Sequence, residues 1–203
     1  MAGRGALGRA EDGVSAPPAP PLLLASTSPR RREILAQLRI PFDVVVPDYE
    51  ETLDDPVAHA VGKARSVLPL AEGRPVVGCD TEVILGGRVY GKAATAEEAA
   101  EMLESLAGRT HEVVSGLALL TEAWEEVHSE TTLVTFRPLT PRDIGLYVAS
   151  GEWESRAGAY AIQGYGAQLV ERVEGDYLNV VGLPAALLIR ILAERFPGVY
   201  GVG

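Results

Sequence analysis

The amino-acid sequence predicts an α/β or α+β domain built on a mixed β-sheet, and three observations carry that expectation. A short apolar run at residues 22–26 gives way to a helical pattern at Ser28-Pro29, two long alternating stretches fill residues 111–139, and helix caps punctuate the chain at Thr95 and Thr140. Hydrophobic residues make up 47% and charged residues 23% of the 203 residues, so a chain of this length and composition can bury one substantial core.

Residues 1–20, MAGRGALGRAEDGVSAPPAP, are rich in Gly, Ala and Pro and lack the continuous apolar core of a secretory signal. They read as a disordered tail, with residues 21–203 as a single domain. Glu11 and Asp12 argue against a transit peptide. LLLAS reads as the first strand; Ser28 as N-cap and Pro29 at the first helical position then open the helix RRREILAQLR. FDVVV reads as a second strand, the acidic PDYEETLDD as a loop, and VAHAVGKARSVLPLA as a helix. PVVGCDTEVILGGRVYG divides into two strands turned at Gly86-Gly87. Thr95 caps the helix EEAAEMLESLAG, which Gly108 ends.

The stretch HEVVSGLALLTEAWEEVHSETTLVTFRPL alternates as two antiparallel strands with a polar turn near residues 122–126. Thr140-Pro141 opens the helix TPRDIGLYVASGE. YAIQG and AQLVERVEGDY read as further short strands, and LPAALLIRILAERF as a closing amphipathic helix.

A net charge of −10 and a pI near 4.8 oppose binding to a phosphate backbone, so no nucleic-acid partner is expected, whereas a small anion answers only to its own pocket. Cys79 is the only cysteine, which excludes an intrachain disulfide and a cysteine cluster for zinc, and a reducing cytoplasm fits. No apolar run approaches the length of a membrane span.

Four segments hold residues of chemical interest. Ser26-Thr27-Ser28-Pro29-Arg30-Arg31 puts hydroxyls, backbone N–H groups and two guanidinium forks where a strand meets a helix, which suits an anion and equally suits a plain capped helix. Asp80-Thr81 follows an apolar strand, with Gly91-Lys92 across the hairpin. A carboxylate there can hold a divalent cation or take a proton from water, although an Asp-Thr bend capping its own backbone is the commoner occurrence. The acids Asp48, Glu50, Glu51, Asp54 and Asp55 could supply a partner carboxylate, or be solvated surface charge. Finally Arg156-Ala157-Gly158-Ala159-Tyr160-Ala161-Ile162-Gln163-Gly164 combines small residues with an amide that can both donate and accept. His111 reads as an interstrand polar partner.

In this order the segments resemble the Maf family of nucleoside triphosphate pyrophosphatases, also known as septum-formation inhibitor proteins. The resemblance rests on L-A-S-x-S-P-R-R at residues 24–31, Glu33, Glu50-Glu51, Lys63-Ala64, Asp80-Thr81, Gly91-Lys92, G-R-T-H at 108–111, A-G-x-Y-x-I-Q-G at 157–164 and G-D-Y-x-x-V-x-G-L-P at 175–184. It implies a mixed-sheet α/β fold in two lobes with a central cleft, similar to inosine triphosphate pyrophosphatases, and hydrolysis of a nucleoside triphosphate to monophosphate and pyrophosphate. By the same resemblance Asp80 is the catalytic base, working with a divalent cation, Mg2+ or Mn2+, that Asp80, Glu51 and, as the weaker choice, Glu50 would hold. Arg31, Lys63 and Lys92, with Ser28, would bind the triphosphate.

Within the family, Arg30, Thr81 and Gln163 resemble the branch acting on dTTP and UTP, modified pyrimidine nucleotides included; a Trp after S-P and D-Q for D-T would mark the branch acting on 7-methyl-GTP. A regulatory binding role in cell division is the alternative from another class. The family also implies a cytoplasmic homodimer. Two positions depart from its pattern: Ala93 follows Gly91-Lys92, and Glu82 follows Asp80-Thr81, where strand alternation would set it on the Asp80 face.

Overall fold

A computed structural model describes residues 19–51 and 55–202; residues 1–18 of the expected tail, and Asp54, lie outside them. The fold is α/β, on one seven-stranded mixed sheet ordered β2-β1-β3-β5-β6-β7, with β4 paired to β3.

β1 (Leu22–Ala25) is wholly buried and runs parallel to both neighbours, β2 (Phe42–Val45) and β3 (Val76–Leu85). The links to these neighbours are helical, as parallel pairing requires. α1 (Pro29–Gln37) packs Ile34 and Leu35 into the larger hydrophobic cluster on one face, while α2 (Pro56–Val67) packs Ala60, Ala64 and Val67 into a smaller cluster on the other. Chain order thus reverses at β1, and a crevice opens beyond its C-terminal end.

α2 lies unusually close to the sheet. A Cβ at Gly78 of β3 would overlap the Ala60 carbonyl, and one at Gly116 would overlap the Pro56 carbonyl. These two missing side chains let the helix backbone rest on the strands.

The remaining sheet is antiparallel. β3 turns at Gly86-Gly87, both with positive φ, into β4 (Arg88–Tyr90), as the sequence predicts. β5 (Thr110–Leu120) and β6 (Glu125–Phe136) are the two long strands. α3 (Ala96–Leu106) and α4 (Pro141–Ala149) start at Thr95 and Thr140, whose hydroxyls accept from Glu98 and Asp143 N–H; at α4 the Asp143 carboxylate completes a capping box.

Two expectations need correction. YAIQG forms no strand: Gly158, Ala159 and Gly164 all have positive φ, so the alternating burial of Tyr160 and Ile162 sits on an irregular backbone. AQLVERVEGDY shortens to β7 (Val170–Glu174), after a 3-10 turn at Gly164–Leu169. Its Asp176 instead caps a short helix, α5 (Tyr177–Val181), that the sequence reading lacked. α6 (Ala185–Arg195) closes the fold with Leu187, Leu188, Ile191 and Leu192 in the larger cluster.

Candidate active site

A cleft of about 460 Å³ opens at the reversal point. One wall comes from α1, α2 and β3 with the loops that follow β1 and β2; the other is the irregular segment from Ser155 to Gln163, joined by Lys92. Arg30, Arg31, Lys63, Lys92 and Arg156 line it against the acids Glu51 and Asp80. In a chain of net charge −10 this lining is cationic by three charges, five minus two.

Asp80 leaves β3 two residues past Gly78, on the face covered by α2. His59 and Lys63, four residues apart on that helix, therefore reach it together. Lys63 Nζ lies 2.5 Å from Asp80 Oδ1 and 2.5 Å from Glu51 Oε1, and His59 Nδ1 lies 3.4 Å from Asp80 Oδ2. Lys63 and His59 are buried, as close packing of α2 dictates. Burial acts to raise the Glu51 carboxyl, but the Lys63 hydrogen bond and the charges of Lys63, Lys92 and His59 outweigh it and hold Glu51 below its ordinary value.

Arg31, on the first turn of α1, is only 8% exposed. Its Nε donates to the Gly182 carbonyl at 2.8 Å, Nη1 to Ser26 Oγ at 3.2 Å and Nη2 to Thr81 Oγ1 at 3.4 Å, so the fork is held by neutral acceptors and keeps its charge for the cleft. Thr81 Oγ1 also shares a hydrogen bond of 2.8 Å with Ser115. Ser28 stands at the N-cap of α1 without a side-chain cap bond; its own N–H goes to Ser26 Oγ. Burial first, and then the charges of Arg156 and Arg31, bring the Arg30 guanidinium down to about 10, against a small opposing pull from Glu33; it remains cationic at neutral pH.

The structure therefore gathers Ser28, Arg30, Arg31, Glu51, Lys63, Asp80, Thr81, Lys92 and Gln163 around one cleft. Glu50 and Asp48 are exposed and outside its lining, and Asp55 is the N-cap of α2, accepting from Val57 and Ala58 N–H. Glu82 is buried in an unbroken β3 and does not join the Asp80 cluster. Ala93 packs into the core and Lys92 pairs with Ala157 by a β-bridge, so the segment that departs from the family pattern is fastened on both sides. His111 is buried on β5, sharing a 2.9 Å hydrogen bond with Tyr160, and burial lowers it to about 4.

Sequence reading missed His59, and it quoted Arg156 and Ser26 within their segments without giving either a role. His59 was findable, because it precedes Lys63 by one helical turn on the buried face of α2. Nothing local gives Arg156 a role.

Glu51, His59 and Asp80 each offer a ligand atom, and these atoms lie within 4.8 Å of one another. Two carboxylates already converge on the Lys63 ammonium, so the donor set suits a hard divalent cation, and an imidazole nitrogen is acceptable to manganese as well.

The family model described as Maf-like protein matches residues 21–195. A protein of Gloeobacter violaceus named dTTP/UTP pyrophosphatase is 44% identical over 180 residues, 85% of this chain and 95% of that protein. One of the same name from Deinococcus radiodurans is 43% identical over 190 residues, 91% and 97% of the two chains. A third, from Halalkalibacterium halodurans, is 44% identical over 179 residues, 85% and 94%. Among solved structures, the Staphylococcus aureus Ham1 protein aligns with a TM-score of 0.46 and 14% identity over 58% of this chain and 72% of that chain.

Proposed function

The chain belongs to the Maf-like protein family, and from that premise we propose that it hydrolyses dTTP and UTP to the nucleoside monophosphate and pyrophosphate. The observation that carries this reading is the meeting of one carboxylate, Asp80, with a cationic cleft at the reversal point of the sheet.

In this reading Asp80 takes a proton from a water molecule whose oxygen attacks the α-phosphorus. The bond from that phosphorus to the oxygen bridging to the β-phosphate breaks, and pyrophosphate leaves. Arg31, pre-set by Gly182, Ser26 and Thr81, holds phosphate oxygens with Lys92, because charge building on the leaving group needs fixed donors. Lys63 keeps the Asp80 and Glu51 carboxylates side by side without repulsion. Glu51, His59 and Asp80 would hold a divalent cation, which when bound supplies Lewis-acid charge at the phosphates. Arg30, Thr81 and Gln163 would read the two carbonyls and the N3–H of uracil or thymine, and the larger 7-methyl-guanine presents a different edge. The reading extends to residues 21–203 acting as one cytoplasmic unit that dimerises, for which light scattering gives the mass. Among the described residues no helix is long and apolar enough to cross a membrane.

The deciding experiment measures pyrophosphate release from UTP, dTTP, CTP, ATP and 7-methyl-GTP with Mg2+ and with Mn2+, for the parent and for Asp80→Asn. UTP and dTTP should lead, and the variant should be nearly inactive. Preference for 7-methyl-GTP would overturn the substrate, and an undiminished Asp80→Asn would overturn the base.

A further inference from the structure

Arg156 enters the cleft from the irregular wall with part of its guanidinium unspent. Its Nε donates to the Glu152 carbonyl at 2.6 Å, which fixes the plane of the fork, while Nη1 is buried and has no hydrogen-bond partner among the described residues. Among those residues Arg156 makes no ion pair either. Glu152, whose carbonyl anchors Nε, has its own carboxylate otherwise engaged: the two oxygens accept backbone N–H groups, from Tyr165 at 2.9 Å and Gly166 at 3.0 Å.

A guanidinium with one shielded, unbonded nitrogen is costly unless a ligand completes the fork. Two observations say which part of a nucleotide does so. The Arg156 charge acts on Arg30, so the two cations repel, and a neutral carbonyl acceptor would leave that repulsion standing where an anionic oxygen would cancel it. The neighbouring Ala157 forms the β-bridge with Lys92, and Gly158 N–H bonds the Tyr90 and Gly91 carbonyls at 2.7 and 3.0 Å. The backbone carrying Arg156 is thus tied to the strand end that carries a lysine of the triphosphate site.

We propose that Arg156 is a further ligand of the triphosphate chain, aimed by the Glu152 carbonyl so that the unpaired end of its fork takes an anionic phosphate oxygen. The inference rests on the nucleotide-hydrolase reading given above. It makes the irregular wall a participant in phosphate binding as well as in base selection.

Inorganic tripolyphosphate, which has the chain without the base, is the probe. Calorimetric titration with Mg2+ present compares tripolyphosphate and UMP on the parent, Arg156→Ala and Arg156→Lys, with thermal unfolding as the check on folding. Arg156→Ala should weaken tripolyphosphate by about tenfold and UMP much less. Arg156→Lys, which keeps the charge but loses the Nε anchor, should fall between and carries the test if the alanine variant does not fold. Tripolyphosphate affinity equal to the parent's in the folded variants would overturn the proposal, whatever happens to UMP. A parent that binds neither tripolyphosphate nor UMP would instead remove the nucleotide reading, and this inference with it.

Discussion

The two walls of the cleft are built on opposite plans. On the α2–β3 wall Asp80, Lys63 and His59 sit on regular elements, with Glu51 drawn in from the loop before α2 by Lys63, and the spacing is set by a helix resting on Gly78 and Gly116. On the facing wall the backbone from Ser155 to Gly164 is irregular, with positive φ at Ser155, Gly158, Ala159 and Gly164, and among the described residues Arg156 makes no ion pair. The first wall holds its charged groups against one another in a fixed array and is suited to bond making. The second is completed only by a ligand and suited to recognition. A fixed distance between reacting groups needs rigid neighbours, whereas a loop can be shaped to a substrate at little cost to the core.

This division predicts that damage to the first wall appears in turnover and damage to the second in substrate affinity. The largest effect is expected at Asp80→Asn, where kcat for UTP should fall by about a thousandfold while the circular dichroism spectrum stays that of the parent. A fall below tenfold would mean that the general base is elsewhere.

Gly78→Ala comes next. The added methyl must push α2 off the sheet, and we expect a loss of about 2 kcal/mol in urea unfolding together with about tenfold in kcat, since Lys63 and His59 move with the helix. Lost stability with unchanged kcat would show that the helix seat does not set the reactive geometry.

The joint between the walls should be sensitive to acid. His111 of β5 shares its hydrogen bond with Tyr160 of the irregular segment, and its folded value near 4 lies below the ordinary 6.5. The unfolded chain therefore binds the extra proton first as pH falls. The stability that neutral His111 contributes is complete above about 6.5 and is lost down to about 4, by up to roughly 3 kcal/mol. Urea unfolding of the parent and of His111→Gln at pH 7, 5.5 and 4.5 measures it; parallel pH profiles for the two proteins would refute the assignment.

The smallest effect is expected at Glu152→Gln. Tyr165 and Gly166 N–H lose a charged acceptor next to Gln163, so KM for UTP should rise about fivefold with kcat within twofold. A loss confined to kcat would contradict the division between the walls.

How legible each wall is in the sequence follows the same line. The hairpin at Gly86-Gly87 and the caps at Thr95 and Thr140 depend on neighbours within a few residues, and the sequence displays them. Asp80 and Lys63 could be picked out singly, but their contact depends on α2 sitting against Gly78, a meeting of segments that no local pattern announces. The irregular wall was misread because Tyr160 and Ile162 are buried at strand spacing. Burial with a period of two does not require a ladder, and here the positive φ angles and a single bridge to Lys92 take its place. Arg156 stands in a quoted segment without a role because its importance comes from a missing partner, which only the fold displays.

The contrast between an acidic body and a cationic cleft also sorts anions by size. At physiological salt a charge is felt over roughly 8 Å, so a small polyanion that fits inside the cleft is surrounded by Arg30, Arg31, Lys63, Lys92 and Arg156 and is shielded from the remaining surface. A polymer offering the same phosphates must leave most of them outside, against a molecule of net charge −10. On the proposed function, a single nucleotide would thus meet an attractive field where polymeric phosphate meets a repulsive one, a selection made by field and volume before any base is read.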